Sequence, residues 1–93
     1  MNAAPACYTA VVDLSGGASV TAVTGRGRLM GFYVNVTNSA AVVFKDGSTT
    51  LFTLPVTTAI GTYVPLPGLM FSSLVLTPGA SQTGSISCFY TDA

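Results

Sequence analysis

Residues 29–37 read Leu-Met-Gly-Phe-Tyr-Val-Asn-Val-Thr, and this stretch is the clearest structural signal in the chain. Every second residue is large and apolar, and the residues between them are small, aromatic or polar. A period of two residues is typical of a β-strand that buries one face. We therefore predict a core strand here. Its buried face is expected to carry Met30, Phe32, Val34 and Val36.

Directly after this strand, two short apolar runs flank the dipeptide Asp46-Gly47. Asp-Gly favours a two-residue type I′ turn, so the sequence predicts a β-hairpin. With this loop, one face of the hairpin would carry Val42, Phe44 and Leu51, and the other Val43 and Phe52. Large apolar groups on both faces indicate that another layer or subunit covers the second one. A longer loop would shift the register by one residue and restore a simple alternation.

The rest of the chain also alternates with a period of two and shows no helical spacing. Pro65 and Pro67 exclude a central strand position at that point. Further short strands are predicted at about residues 8–14, 20–23, 61–64, 69–77 (with a break at 72–73) and 85–91. The sequence therefore predicts an all-β fold. We expect a single domain over residues 1–93, a compact β-sandwich of the jelly-roll type with seven or eight short antiparallel strands.

The chain carries very little charge, because only 6% of its residues are acidic or basic. The surface of a small soluble domain is usually about 25–35% charged. Much of this surface is therefore expected to face other protein. Three scattered cations argue against binding to nucleic acid or to a membrane surface. The charged residues are Asp13, Arg26, Arg28, Lys45, Asp46 and Asp92.

Catalysis is not expected from this composition. The chain has no histidine, and its one lysine, Lys45, adjoins Asp46 in a predicted turn. A nucleophile needs a base, and the base needs an orienting partner. No such set is visible in the sequence, so we predict neither an enzyme nor a cofactor or small-molecule substrate.

The two cysteines, Cys7 and Cys88, cannot form a convincing zinc site without histidine. Residues 1–6 contain neither a basic segment nor a continuous apolar one, so we expect synthesis in the cytoplasm without export. In that compartment the cysteines are interpreted as reduced, small apolar residues, with a disulfide as the alternative.

The segment Gly25-Arg26-Gly27-Arg28 is the one concentration of charge. Two guanidinium groups on a flexible loop can bind a carboxylate of an acidic partner. The alternative is a solvated turn that is basic for solubility. Four residues are therefore the candidate protein interface of the sequence: Arg26, Arg28, Val43 and Phe52.

Four segments resemble a known group of proteins: residues 28–34 (RLMGFYV), 45–47 (KDG), 67–77 (PGLMFSSLVLT) and 84–90 (GSISCFY). Together they resemble small structural proteins of tailed bacteriophages. The resemblance covers about residues 26–91, and the shared positions are glycines, turn residues and core aromatics. It implies a virion protein that decorates or cements the capsid exterior. Such a protein would form a dimer or trimer, bind the major capsid protein and bridge neighbouring capsomers.

An alternative is a head-fibre or tail-associated module that recognises a cell-surface glycan or receptor. Aromatic faces can stack on sugars, and the chain has four tyrosines and five phenylalanines. This alternative predicts an exposed groove lined by tyrosine and asparagine, in which Tyr33 and Tyr63 contact the ligand. Few fixed polar groups are available to give such a site specificity, so packing in a core or an interface is the favoured interpretation of these rings.

Overall fold

The computed structural model describes residues 7–79 and 82–92, so the expectation drawn from residues 1–6 lies outside it. The described residues form six β-strands and no helix, and therefore contain no helix that could cross a membrane. The strands are β1 Tyr8–Asp13, β2 Val20–Val36, β3 Val42–Asp46, β4 Thr49–Leu54, β5 Tyr63–Thr77 and β6 Ser85–Asp92. They form one open antiparallel sheet in the order β1-β6-β2-β5-β3-β4. The all-β prediction is confirmed.

The strand β2 joins two predicted strands into one element of 17 residues. The predicted loop at residues 25–28 is instead part of this strand. Against β5, Thr24 pairs with Ser73 and Gly27 with Phe71, so β2 has one extra residue between these pairs. Gly25 adopts a φ of 100°, which glycine tolerates and which suits a β-bulge. The bulge bends the strand without ending it.

The strand β5 likewise runs through Pro65 and Pro67, which we expected to exclude a central position. Its place in the strand order is interior, but β3 pairs only with its last four residues, Leu74 to Thr77. Residues 63–71 pair with β2 alone. The prolines therefore lie at a local edge of the sheet, where a missing N–H group is tolerated. The predicted count of seven or eight short strands is wrong because β2 and β5 are long and bulged.

The sheet curls strongly around its core. Phe32 of β2 lies opposite Val64, and Phe44 of β3 lies opposite Leu76, twelve residues further along β5. A straight strand would separate these positions by about 40 Å. The ring centroids of Phe32 and Phe44 are nevertheless only 5.0 Å apart. The two ends of the sheet thus fold over each other, although no separate second sheet is formed by the described residues.

Every strand contributes to the continuous core between these two ends. The alternation predicted for residues 29–37 holds for Phe32 and Val34, but Met30 and Val36 are 37% and 48% exposed. Against β6, Met30 is an extra residue of β2, and Val36 directly follows a second extra residue, Asn35. The buried apolar side chains are Val12, Leu14, Leu29, Phe32, Val34, Val42, Phe44, Leu54, Phe71, Leu74, Leu76, Ile86 and Cys88.

The hairpin between β3 and β4 forms as predicted, but its turn lies one residue later. Asp46 pairs with Thr49, which leaves Gly47 and Ser48 as the loop. A further extra residue on β4 then places Phe52 directly opposite Phe44, with ring centroids 4.4 Å apart. Phe52 is therefore on the core face. The predicted second apolar face with Val43 and Phe52 side by side is wrong.

Two buried amides connect the loops at one end of the sheet. The Asn38 Nδ2 group donates to the carbonyl oxygens of Ala40 and Pro55, both at 2.8 Å. Its Oδ1 atom accepts from the Thr58 backbone N–H at 3.0 Å. The Gln82 Nε2 group donates to the same Ala40 carbonyl oxygen at 2.9 Å. Both amides are satisfied, as burial requires.

Candidate functional site

The cysteines and acids do not assemble into a reactive centre in the described part of the chain. No group of three potential metal ligands occurs among the described residues. Cys7 and Cys88 are both free thiols, Cys7 exposed and Cys88 buried. Burial raises the pKa of Cys88 to about 12, which keeps it as an unreactive neutral thiol. The prediction of a small apolar role fits Cys88, whereas Cys7 faces solvent.

The most distinctive surface is the outer side of the sheet at its β1-β6-β2-β5 end, here called the outer face. Ser87 pairs with Val11 on one side and with Tyr33 on the other, and Tyr33 pairs with Tyr63. Residues directly opposite each other in antiparallel strands lie on the same face. Val11, Ser87, Tyr33 and Tyr63 therefore form one row across four strands, which we call the tyrosine row.

Three side chains of the tyrosine row are open to solvent, whereas Ser87, between Val11 and Tyr33, is buried. Val11 is 67% exposed, Tyr63 53% and Tyr33 38%. Isolated exposed apolar residues need no explanation, but a contiguous set of them marks a surface that binds something. Within the row, the neighbouring rings of Tyr33 and Tyr63 form such a set, and the buried Ser87 separates them from Val11.

Gly31 positions the Tyr63 ring against β2. A Cβ atom at Gly31 would lie 3.2 Å from the Tyr63 Cε1 and hydroxyl oxygen atoms, and 2.8 Å from the Val64 carbonyl oxygen. Only glycine leaves room for this approach. The Phe89 ring flanks Tyr63 with a centroid distance of 6.1 Å. The tyrosine is therefore held in place by backbone and aromatic contacts, which lowers the entropy lost when it binds a partner.

A fixed amide lies beside the tyrosine row. The Asn35 Nδ2 group donates to the Ser87 Oγ atom at 2.8 Å and to the Ser85 Oγ atom at 3.4 Å. Asn35 is half-buried, so these bonds hold its side chain in one orientation. The outer face thus combines exposed rings with positioned polar groups.

The charged residues of the outer face lie at its two ends. Asp13 pairs with Ser85 beyond one side of the tyrosine row, and Arg28 pairs with Thr91 beyond the other. The Ser15 backbone N–H donates to the Asp13 Oδ1 atom at 2.9 Å and holds the pKa of this carboxyl below its usual value. The tyrosine row between these two charges is itself uncharged.

The structure does not bring the four sequence-predicted interface residues together. Arg28 lies on the outer face, whereas Arg26 lines an open depression beside Asp46. Val43 is half-buried on the opposite side of its hairpin from Phe52, and Phe52 packs on the core.

Sequence reasoning missed Val11 and Gly31. The alternation in the first strand places Val11 on the face opposite to the core residue Val12, so this signal was available. The pairing of Tyr33 with Tyr63 was not available, because β5 carries extra residues between its pairs with Leu29 and Gly31. A register of that kind cannot be read from alternation alone.

Comparisons with protein-family models, with curated proteins and with solved structures found no match.

Proposed function

We propose that this chain is a structural protein of a bacteriophage virion that decorates or cements the capsid exterior. The single observation that carries this proposal is the exposed, uncharged pair Tyr33 and Tyr63 on the outer face, together with a composition of only 6% charged residues. The phage assignment rests on the sequence resemblance at residues 28–34, 45–47, 67–77 and 84–90. In this proposal the chain binds proteins and carries out no chemistry.

The outer face has the composition of a protein-binding surface. Tyrosine is enriched in interface cores and among the residues that dominate binding energy, while charged residues are depleted there. Tyr33 and Tyr63 each offer a large ring at a small cost in side-chain entropy. Asn35 and the nearby serines supply hydrogen bonds at the border of the rings. Such a surface would bind a shell of neutral, hydroxyl-rich protein.

Oligomerisation completes the proposed role, since a cement protein bridges neighbouring capsomers. A dimer or trimer presents several outer faces at once, and a regular shell offers many equal sites. Linked contacts raise the overall affinity without any new interaction, so each single contact can be weak. We further propose that the two overlapping ends of the curled sheet act as the two layers of a sandwich of the jelly-roll type.

The direct test is co-sedimentation with phage capsid shells that lack the protein. Replacement of Tyr63→Ala should weaken binding by about 30-fold, the loss expected for a dominant interface side chain worth about 2 kcal/mol. Val56→Ala is the matched control, because Val56 is also 53% exposed but lies outside the strands, between β4 and β5. Equal binding of the native chain and the folded Tyr63→Ala variant would contradict the proposal.

Glycan recognition is a second candidate, favoured by one observation. Tyr33 and Tyr63 are neighbours across two strands, and the Asn35 amide is held next to them. Exposed rings with a fixed amide can stack on a sugar and bind its hydroxyls. Screening against an array of bacterial surface glycans tests this candidate. A signal that disappears in Tyr33→Ala and Tyr63→Ala would support it, and a silent array would oppose it.

A further inference from the structure

The sheet has four stretches of free edge in the described residues: β1, β4, residues 20–26 of β2 and residues 63–71 of β5. Free edges pair readily with other chains, and proteins usually block them with prolines, charges or bulges. The β5 stretch contains Pro65 and Pro67. The β4 edge is distorted by an extra residue at Leu51. Residues 20–26 of β2 contain two bulges, one at Ala22 and one beside Gly25. Three of the four edges therefore carry a protective feature.

The β1 edge has none of these protective features along most of its length. Its six residues pair with β6 in one unbroken register, from Tyr8 opposite Tyr90 to Asp13 opposite Ser85. It contains no proline or lysine, and its only charged residue is Asp13 at the end. A regular, nearly uncharged edge is a template for another β-strand.

The backbone groups that this edge offers can be identified. The Leu14 backbone N–H donates to the Gly84 carbonyl oxygen at 3.0 Å, which continues the β1–β6 register. In an antiparallel strand, alternate residues direct both their N–H and C=O groups to the same side. Tyr8, Ala10 and Val12 therefore bond to β6. The N–H and C=O groups of Thr9, Val11 and Asp13 point to the open side.

We propose that β1 pairs in antiparallel orientation with β1 of a second copy of this chain, about a two-fold axis at Val11. Directly opposite residues must lie on the same face of the combined sheet, and hydrogen-bonded pairs must use the free backbone groups. Val11 opposite Val11 and Thr9 opposite Asp13 satisfy both conditions. This register leaves none of the three residues unpaired in either copy.

The side chains fit the same register. Val11 is 67% exposed in the single chain. In the proposed pair, the two Val11 side chains would pack against each other at the centre. The Asp13 Oδ1 atom is engaged by the Ser15 backbone N–H, and the carboxylate would lie opposite a Thr9 hydroxyl that can donate to it. No like charges would face each other. Isologous contacts of this kind close on themselves and give a dimer.

This inference deepens the proposed function and rests on the oligomer assumed there. The pairing would join two outer faces edge to edge into one continuous surface, with a tyrosine row on each side of the axis. It selects a dimer from the dimer or trimer that the resemblance implies. Light scattering tests it without any capsid, so its failure is distinguishable from a failure of shell binding.

The first experiment is the solution mass of the native chain and of Val11→Lys. The native chain should have twice its monomer mass of 9.4 kDa, and Val11→Lys should have the monomer mass with unchanged folding. Lysine at an edge opposes pairing, and here two would face each other. Thr53→Lys on the β4 edge is the matched control and should remain a dimer. A monomeric native chain over the whole concentration range would overturn the inference.

The second experiment fixes the register by cross-linking in a Cys7→Ser background, which removes the exposed native thiol. Hydrogen-bonded antiparallel partners have Cα atoms about 5.5 Å apart, within the range of a disulfide. Val11→Cys should therefore form a covalent dimer on oxidation. Thr9→Cys should not, because its two copies would be about 14 Å apart along the strands. A dimer that tolerates Val11→Lys and does not cross-link at residue 11 would overturn strand pairing but leave the proposed oligomer intact.

Discussion

Gly31 is the single residue on which the geometry of the outer face most depends. Its missing side chain lets β2 and β5 approach closely and lets the Tyr63 ring rest against the backbone. Asn35 and Ser87 then fix the polar surroundings through a 2.8 Å hydrogen bond. At the level of single residues, Gly31 thus positions the Tyr63 ring of the proposed binding surface, and the Asn35 amide positions its polar groups.

Replacement of Gly31→Ala should destabilise the fold by about 2 kcal/mol, because the new methyl group would overlap the Val64 carbonyl oxygen. Urea unfolding followed by circular dichroism measures the change. Gly16→Ala is the control, since a methyl group there would meet no atom within 4 Å. The only cost of this substitution is the unfavourable φ of 85° for alanine. That cost is about 1 kcal/mol. Equal losses for the two variants would contradict the close approach at Gly31.

Cys88 should make the stability fall at alkaline pH. Burial raises its pKa from 9.0 to about 12, so the unfolded chain loses this proton first. The stabilising effect is complete below pH 9 and is lost as the pH rises towards 12. This group alone lowers the free energy of unfolding by about 1.4 kcal/mol per pH unit in that window.

The measurement is urea unfolding of the native chain and of Cys88→Ala between pH 8 and 11, because the two proteins differ only in this thiol. The native chain should show the steeper decline. Parallel pH dependence of the two proteins would show that the Cys88 thiol is accessible to solvent.

Among the elements, the long strands β2 and β5 differ most from what their sequences suggest. Gly25 and Gly27 are compatible with either a loop or a β-bulge. The sequence therefore predicted two strands separated by a loop, where the structure has one bulged strand. The core of β2 at Phe32 and Val34 was predicted correctly because its alternation is strict there. The places where bulges interrupt this alternation, at Met30 and Asn35, depend on pairing with β6 and cannot be predicted from the local sequence.

The turn of the β3–β4 hairpin illustrates the same limit. The hairpin itself follows from local sequence, but Asp46 belongs to the strand because its side chain bonds to β5. Its Oδ1 atom accepts from the backbone N–H groups of Ser72 at 2.9 Å and Ser73 at 3.1 Å. The turn therefore moves to Gly47 and Ser48. A tertiary contact, which no short-range signal reveals, sets this register.

Replacement of Asp46→Ala should destabilise the fold by about 1–2 kcal/mol, because the exposed N–H group of Ser72 and the partly buried N–H group of Ser73 lose a charged acceptor. Asp46→Asn keeps an oxygen at the same place and should lose about half as much. Thermal unfolding of the two variants measures the difference. Identical losses in both variants would argue that the charge alone, rather than an acceptor at that position, stabilises the contact between Asp46 and β5.

For the molecule as a whole, most of the few charged side chains lie at defined places on the surface. Of the six charged side chains, Asp13 and Arg28 bound the outer face, and Arg26 and Asp46 line one depression. The broad surface between Asp13 and Arg28 is left to tyrosine, valine, serine and asparagine. The sequence predicted a surface with little charge, but the curl of the sheet and the register of β5 were needed to locate its uncharged part.

The most direct measurement is an electron cryomicroscopy reconstruction of capsid shells saturated with this protein. The proposal predicts that Tyr33 and Tyr63 are buried against the shell, and that the outer face forms the contact at every occupied site. Bound copies whose tyrosine rows face solvent, or shells that remain bare at saturating protein, would contradict it.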